Sequence, residues 1–415
     1  MIRINPSKIS GTLHAPASKA HAQRLLFMAS MPAYPTRIKN VPRCNDIDST
    51  IACLESLGCI ISRNSTGDEV VVKPFPKTSP MPDVALNFRD SATTARLAMA
   101  LCASLGINAD CRASGTLVKR KMIQLTGRLA LRGVTFSNFS LPFVLSGRMA
   151  SGEYSFTGDE GTQAISAIMM FAPCLLSDSQ IKFESELIDN GMAELTRLSM
   201  EKFQMSVVPT EDGYFIPGRQ YYQSPEEIRT ENDWGLAAMW ITAAAASGHE
   251  GAGLSVDNLP KNSPQLYRDL DNINALIYHK FSDITIDASK MPNLATLYAA
   301  LAIVQGASIR ITGVPQLKVK EADRLAVMAE IARKFGQKAE TFYDGIQITG
   351  NGLPFFPTEP VDCQGDPWVF MSMCLACVKA DKPILLMDEH GAEKIYRDFL
   401  DDFKSLGGSF EIYQD

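Results

Sequence analysis

The chain has 415 residues, 46% hydrophobic and 21% charged, which is material for a large core and too much length for a single one, so two domains are expected. A net charge of −6 and a pI near 5.5 argue against a nucleic-acid groove or an anionic membrane surface as partner, and any anion site must be a local basic cluster. The start, Met1-Ile-Arg-Ile-Asn-Pro-Ser-Lys8, has no charged segment leading into an apolar one, and apolar stretches such as Leu236 to Ala246 are too short to span a bilayer, which favours the cytoplasm.

In chain order one pattern recurs: an extended stretch, a short polar turn, an apolar helix, a second helix ending near Gly or Phe, and a β-hairpin. Ser18-Lys19 leads into a helix over Ala22 to Met31. Asp46 and Asp48 read as the capped start of a second helix through Ile51 to Leu57, followed by strands Cys59 to Ser62 and Glu69 to Lys73 around a turn at Ser65-Thr66-Gly67-Asp68. Asp90-Ser91 opens a helix over Thr93 to Ser104, and Gly161-Thr162 opens one over Gln163 to Leu176. A boundary is expected near Glu227 to Glu231, after Pro225. Beyond it, Asp233-Trp234 opens Leu236 to Ala246, Pro292-Asn293 opens Leu294 to Val304, and Asp366-Pro367 opens Val369 to Val378. Hairpin tails recur at Lys338 to Phe342 with Ile346 to Thr349, and strand Ser409 to Tyr413 follows Leu406-Gly407-Gly408.

The turns are spaced by about 60 to 75 residues, longer than a solenoid repeat. The reading is an α/β chain of six βαβαββ units, three to a domain. The first helix of each unit is apolar nearly all round and should be buried. Parallel buried helices aim their N-termini at one face, and two such faces would enclose a cleft suited to a small polyanion.

Other features read as structure. Nine cysteines, an odd number in mostly apolar segments, are expected as reduced core residues, and Cys374 and Cys377 as core packing rather than a redox or zinc pair. His14, His21, His249, His279 and His390 lack metal-ligand spacing, and Gly248, Gly251 and Gly253 make no dinucleotide fingerprint. No metal or nucleotide cofactor is expected.

The sharpest chemical signal is Leu317-Lys-Val-Lys-Glu-Ala-Asp-Arg-Leu325. It sets Lys320, Glu321 and Arg324 within little more than one turn at the head of a helix, where an anion could be gripped beside a carboxylate able to move a proton. The plainer reading of the same spacing is a solvated, salt-bridged face.

Further motifs accompany it. Pro16-Ala17-Ser18-Lys19-Ala20-His21-Ala22-Gln23-Arg24 is similar to P-G-S-K-S-x-S-N-R, Lys119-Arg120-Lys121-Met122 to x-R-P-M, and Thr162-Gln163 to an S-Q pair. Lys320, Glu321 and Arg324 match K-E-x-D-R in full, and Lys394 lies in Gly391-Ala-Glu-Lys-Ile-Tyr-Arg-Asp-Phe399. In these the chain resembles, end to end, the 5-enolpyruvylshikimate-3-phosphate synthases, the enolpyruvyl transferases of the shikimate pathway, which leads to chorismate and the aromatic amino acids. The resemblance implies the two-domain enolpyruvyl transferase fold with an interdomain cleft. One domain would comprise residues 1–16 plus 231–415 and the other 17–230. It also implies the small-molecule substrates shikimate 3-phosphate and phosphoenolpyruvate, with phosphate released and an enol ether formed.

By the same resemblance, Lys19, Glu321, Lys394 and position 293 are the catalytic candidates. Lys19, Arg24, Ala92, Thr93, Arg120, Thr162, Gln163, Lys320, Arg324 and Lys394 are the substrate contacts. The departures fall among them. The G-N-[AS]-G-T-[AT]-x-R loop is Arg89-Asp90-Ser91-Ala92-Thr93-Thr94-Ala95-Arg96, without its two glycines. The aspartate of P-D-x-A, base for the attacking hydroxyl, is Asn293, and an amide cannot accept that proton at neutral pH. The arginine of D-H-R-M-A-M is Trp368. Lys19 is a possible substitute base. Two other readings accompany a working synthase: a catalytically degenerate relative that binds a phosphorylated small molecule, and a UDP-N-acetylglucosamine enolpyruvyl transferase, whose Cys-bearing loop Cys111-Arg112-Ala113-Ser114 resembles only superficially.

Overall fold

The apolar runs form helices buried on nearly every side: Lys19–Ala29, Ala92–Leu105, Thr162–Phe171, Trp234–Ala246, Ala295–Gln305 and Pro367–Cys377. Their ends follow local chemistry. Gly106 and Gly306 stop two of them in the left-handed conformation, at φ 72° and 67°, which a residue with a Cβ adopts only under strain. Pro367 starts another at the position where its missing N–H costs nothing. The expected helix over Gln163 to Leu176 breaks after Phe171 into a 3₁₀ turn, Ala172–Cys174, because Pro173 cannot continue the α ladder.

The computed structural model describes residues 1–76, 83–158, 161–185, 190–246, 253–265, 267, 270–279, 282–353 and 355–413. Gly248, His249 and Gly251 lie outside these residues, and of His279 only the backbone is described.

Four sheets share one plan. In each, two parallel strands are extended by an antiparallel hairpin, and in three of the four the parallel strands are joined through a helix. The clearest case orders Val84–Asn87, Ala109–Arg112, Phe143–Ser146 and Thr135–Phe136, with Val84 opposite Ala109 and Ala109 opposite Leu145. Glu153–Phe156 and Ile284–Asp287 each begin another sheet of this kind. In the fourth, the parallel partner of Thr36–Lys39 is Glu227–Arg229, a strand from the segment expected only to be a boundary.

Two sheets depart from the plan. The strand Ile2–Asn5 lies between Ile384–Leu386 and Ser409–Ile412, antiparallel to both. Gly11–His14 pairs in parallel with Leu254–Asp257, a two-stranded sheet among the described residues. Six sheets are therefore present among the described residues, although not every one carries the full set of strands.

Contacts divide the chain into two units, each with its own core. The first comprises Met1–Pro16, Asn232–Lys261 and Leu266–Asp415; the second comprises Ala17–Glu231 and Asn262–Gln265. Within the first, Ala295–Gln305 packs on Pro367–Cys377; within the second, Ala92–Leu105 packs on Thr162–Phe171. Burying one large aliphatic or aromatic side chain in such a core contributes about 1.5–3 kcal/mol. The nine cysteines are free thiols, eight of them buried, and burial pushes the thiols of Cys374 and Cys377 upward.

Candidate active site

In the second unit, helix Lys19–Ala29 begins with a cation, although its first turn holds no acidic residue and its N-terminal dipole disfavours positive charge. The compensating anion comes from the next helix. Asp46 lies in the first turn of Asn45–Ser56, where the dipole favours a carboxylate, and its Oδ2 accepts from Lys19 Nζ at 2.7 Å. The expected helix start stands, with Asp46 and Asp48 in the first turn, but the N-cap position is Cys44, which makes no side-chain cap bond. Asp48 accepts from Arg63 at 2.8 Å.

Arg24 is turned into the core. Its Nε donates to Thr196 Oγ1 at 2.7 Å, its Nη1 to the Ala20 carbonyl at 2.8 Å and its Nη2 to Ser166 Oγ at 2.9 Å. Burial lowers its pKa to about 10. His21, one turn earlier, accepts from the Glu231 N–H at Nδ1, which leaves Nε2 to donate to Ser199 Oγ at 3.0 Å. Burial, helped by the nearby Arg24 charge, lowers His21 to about 3, so it is neutral.

The loop from Arg89 to Arg96 is held by contacts of its own side chains. Arg89 keeps a left-handed backbone, φ 49°, at a position where the resembled family has glycine. Asp90 Oδ1 accepts from the Thr116 hydroxyl at 2.8 Å and from the Leu117 N–H at 2.7 Å, tying the loop to the turn Gly115–Lys119 that delivers Arg120. Ala92 and Thr93 open the buried helix. Arg96 Nη1 donates to Gln163 Oε1 at 2.8 Å, and Gln163 Nε2 donates to Thr93 Oγ1 at 3.0 Å, so Thr93 and Gln163 are brought together as one polar group. Thr162 is the first residue of the helix that carries Gln163.

In the first unit, the helix expected to carry Lys320 and Glu321 at its head begins later, at Arg324. Asp323 is its N-cap, accepting from the Ala326 N–H at 3.0 Å, and Lys320 is extended after the 3₁₀ turn Pro315–Val319. Glu321 still reaches Arg324, Oε2 to Nη2 at 3.1 Å. Neither a solvated face nor an open anion grip describes Arg324, which is buried at 2% exposure. Its Nε donates to Asp366 Oδ2 at 2.7 Å and its Nη1 to Asn293 Oδ1 at 2.9 Å.

Asp366 does two jobs. Its second oxygen accepts from the N–H groups of Trp368 and Val369, capping helix Pro367–Cys377. Burial raises its pKa, while Arg324 pulls the other way. Trp368 is half-buried, with its ring beside Gly235. Asn293 sits in the 3₁₀ turn Pro292–Leu294, where its carbonyl accepts from Thr296 Oγ1 at 3.0 Å. Lys394 is half-buried on the segment between Ile384–Leu386 and Phe399–Ser405. A cavity of 680 Å³ in this unit is lined by Met1, Arg3, Phe356, Lys382 and Tyr413 among others, and by none of the candidate residues.

Sequence reasoning missed Asp46 as the partner of Lys19 and Asp366 as the partner of Arg324. It also missed Ser166 and Thr196 as the acceptors for Arg24. The signal available for the two aspartates was an acidic residue at a helix start, and that signal also describes a cap.

Two units of small mixed sheets around buried helices define the class, the enolpyruvyl transferase fold. An EPSP synthase from Acinetobacter baumannii superposes with a TM-score of 0.73, at 19% identity, covering 100% of this chain and 99% of that one. The enolpyruvyl transferase NikO from Streptomyces tendae also superposes at 0.73, at 14% identity, over 99% and 98% of the two chains. The family model for EPSP synthase (3-phosphoshikimate 1-carboxyvinyltransferase) matches residues 4–403, and the chain belongs to that family. Among curated relatives, the 3-phosphoshikimate 1-carboxyvinyltransferase of Clostridium kluyveri is 26% identical over 99% of this chain and 98% of its own length. That of Saccharolobus solfataricus is 27% identical over 91% and 92%. Among the described residues, no helix is long and apolar enough to cross a membrane.

Proposed function

We propose that this chain transfers the enolpyruvyl group of phosphoenolpyruvate to shikimate 3-phosphate, in the cytoplasm, as a 3-phosphoshikimate 1-carboxyvinyltransferase. The observation that carries the reading is the Arg324 group, in which the K-E-x-D-R block of this family is intact and Glu321 stands against the guanidinium. The substrate hydroxyl gives up its proton as it adds to the central carbon of phosphoenolpyruvate, and the methylene takes up a proton to become a methyl group. Loss of a proton from that methyl group with expulsion of phosphate then gives the enol ether.

In this reading Arg120, Lys320 and Lys394 hold the anionic groups and Thr162 and Gln163 hold shikimate 3-phosphate, while the buried Arg324 and Arg24 add positive charge without an open grip. Ala92 and Thr93 border phosphoenolpyruvate, and Lys19 and Glu321 move protons. Position 293 contributes an acceptor oxygen without a base. The two units, one built on residues 17–231 and the other on 1–16 and 232–415 less the short segment 262–265, are taken as the functional domains.

A second reading, a binder of a phosphorylated small molecule without turnover, is favoured by Asn293, whose amide replaces the base. Purified protein incubated with both substrates and assayed for the enol ether separates the two. Product that depends on both substrates supports the transferase. Folded protein that binds shikimate 3-phosphate yet forms no product, at enzyme levels that would reveal a rate lowered by several orders, selects the binder.

A further inference from the structure

Lys19 was the candidate to replace the base missing at position 293, and the geometry around it argues for the opposite role. Its Nζ lies 2.7 Å from Asp46 Oδ2, with the aspartate side chain 6% exposed and the lysine side chain 20% exposed. A carboxylate at that distance favours the charged form of the lysine, and a lysine kept charged gives protons and does not take them. The carboxylate is itself anchored. The Asp46 carbonyl accepts from Thr50 Oγ1 at 3.0 Å and from Gln23 Nε2 at 3.5 Å, and Gln23 also reaches Thr50, Ser91 and Thr94. Helix Asn45–Ser56 is thereby fixed to helices Lys19–Ala29 and Ala92–Leu105.

We propose that Asp46 is the positioning residue for Lys19, holding it as an ammonium at a fixed place so that Lys19 serves as proton donor and anion contact and not as the base. This rests on the transferase reading for what the proton does, but not for the hold of Asp46 on Lys19. Among the described ionisable groups near the pair, four are otherwise engaged or uncharged or carry the same sign as Lys19. Asp48 is engaged by Arg63, burial pushes the Cys44 thiol up to about 12 so that it is uncharged, His21 is neutral, and Arg24 is a cation bonded to neutral oxygens.

The test compares the parent chain with Asp46→Asn and Asp46→Glu by two readouts. The first is the pH dependence of Lys19 acetylation by acetic anhydride, followed by peptide mass spectrometry with no substrate present. The second is the pH profile of kcat and kcat/KM with the two substrates. In Asp46→Asn the acetylation curve should move to lower pH by about one unit or more, which is about tenfold faster labelling per unit on its rising limb. The alkaline limb of kcat should move with it, and Asp46→Glu should restore both in part.

An acetylation curve that stays in place in a folded Asp46→Asn chain overturns the proposal whatever happens to activity. A loss of kcat with an unmoved alkaline limb also overturns it, because that is the mark of a purely structural role. A shifted acetylation curve in a chain that makes no enol ether upholds the hold on Lys19 and removes the transferase reading instead.

Discussion

Replacing Asn293 by aspartate changes one atom in a defined environment. Asn293 Oδ1 already accepts from Arg324 Nη1 at 2.9 Å, so a carboxylate of the same shape keeps that bond and makes it charge-assisted. A positioned general base is worth about 10²–10⁴ in rate. Part of this is forfeited, because an opposite charge at such a distance lowers a carboxyl pKa by about 1–3 units and weakens the base. Asp366 and Glu321, which share Arg324 at 2.7 and 3.1 Å, push the other way. Taking the low end of the range and discounting it for the ion pair leaves a gain in kcat of at least about tenfold, or about 1.4 kcal/mol of barrier. Steady-state turnover of shikimate 3-phosphate and phosphoenolpyruvate, with the product identified and folding checked by urea titration, measures it. A folded Asn293→Asp chain whose kcat is unchanged or lower refutes the assignment of position 293 to the proton-accepting step.

Three further outcomes are expected. Asp366→Ala removes a helix cap and leaves Arg324 buried without its closest carboxylate, so urea unfolding should show a loss of about 3–5 kcal/mol; a loss below about 1 kcal/mol would mean that the pair is energetically idle. Arg120→Ala should weaken binding of the phosphoenolpyruvate anion by at least about 1.5 kcal/mol, read from calorimetric Kd, and equal affinities would exclude the contact. His21 is neutral in the fold down to about pH 3, whereas in the unfolded chain it takes up a proton near 6.5. The folded chain therefore loses stability as pH falls from about 6.5 towards 3, by about 1.4 kcal/mol per unit. Between pH 6.5 and 4.5, His21→Gln should lose about 2.3 kcal/mol less than the parent, and parallel pH dependences in the two chains would show that His21 is not the titrating group.

The apolar helices were legible because their signal is carried by consecutive residues. Thr93 to Ser104 and Val369 to Val378 differ from the observed Ala92–Leu105 and Pro367–Cys377 by no more than two residues at any end. The partners of the charged candidates were hidden for the opposite reason. Lys19 meets Asp46 across 27 residues and Arg324 meets Asp366 across 42, and both aspartates stand where a helix start already accounts for an acidic side chain. Asp366 fulfils both roles, so the cap was a true reading that concealed the ion pair. Glu227–Arg229 was invisible as a strand because three residues are too few for their alternation to register, and pairing with Arg37, Ile38 and Lys39 defines them. The late start of helix Arg324–Lys334 was legible in principle, since Asp323 is a better cap than Lys320.

The strand Ile2–Asn5 lies between two strands that follow it at a long sequence separation. Its neighbour from Ile384 onwards emerges roughly 380 residues later, which at about 5–20 residues per second is on the order of 20–75 s on the ribosome. During that interval Ile2 and Ile4, fully buried in the finished sheet, have no strand on either side. The segment Ala17–Glu231, by contrast, is fully translated before most of the other unit exists. The order of birth of the two units is thus the reverse of what their first residues suggest: the unit that contains Met1 is the last to close, and its opening strand is a waiting apolar edge that chaperones would have reason to meet.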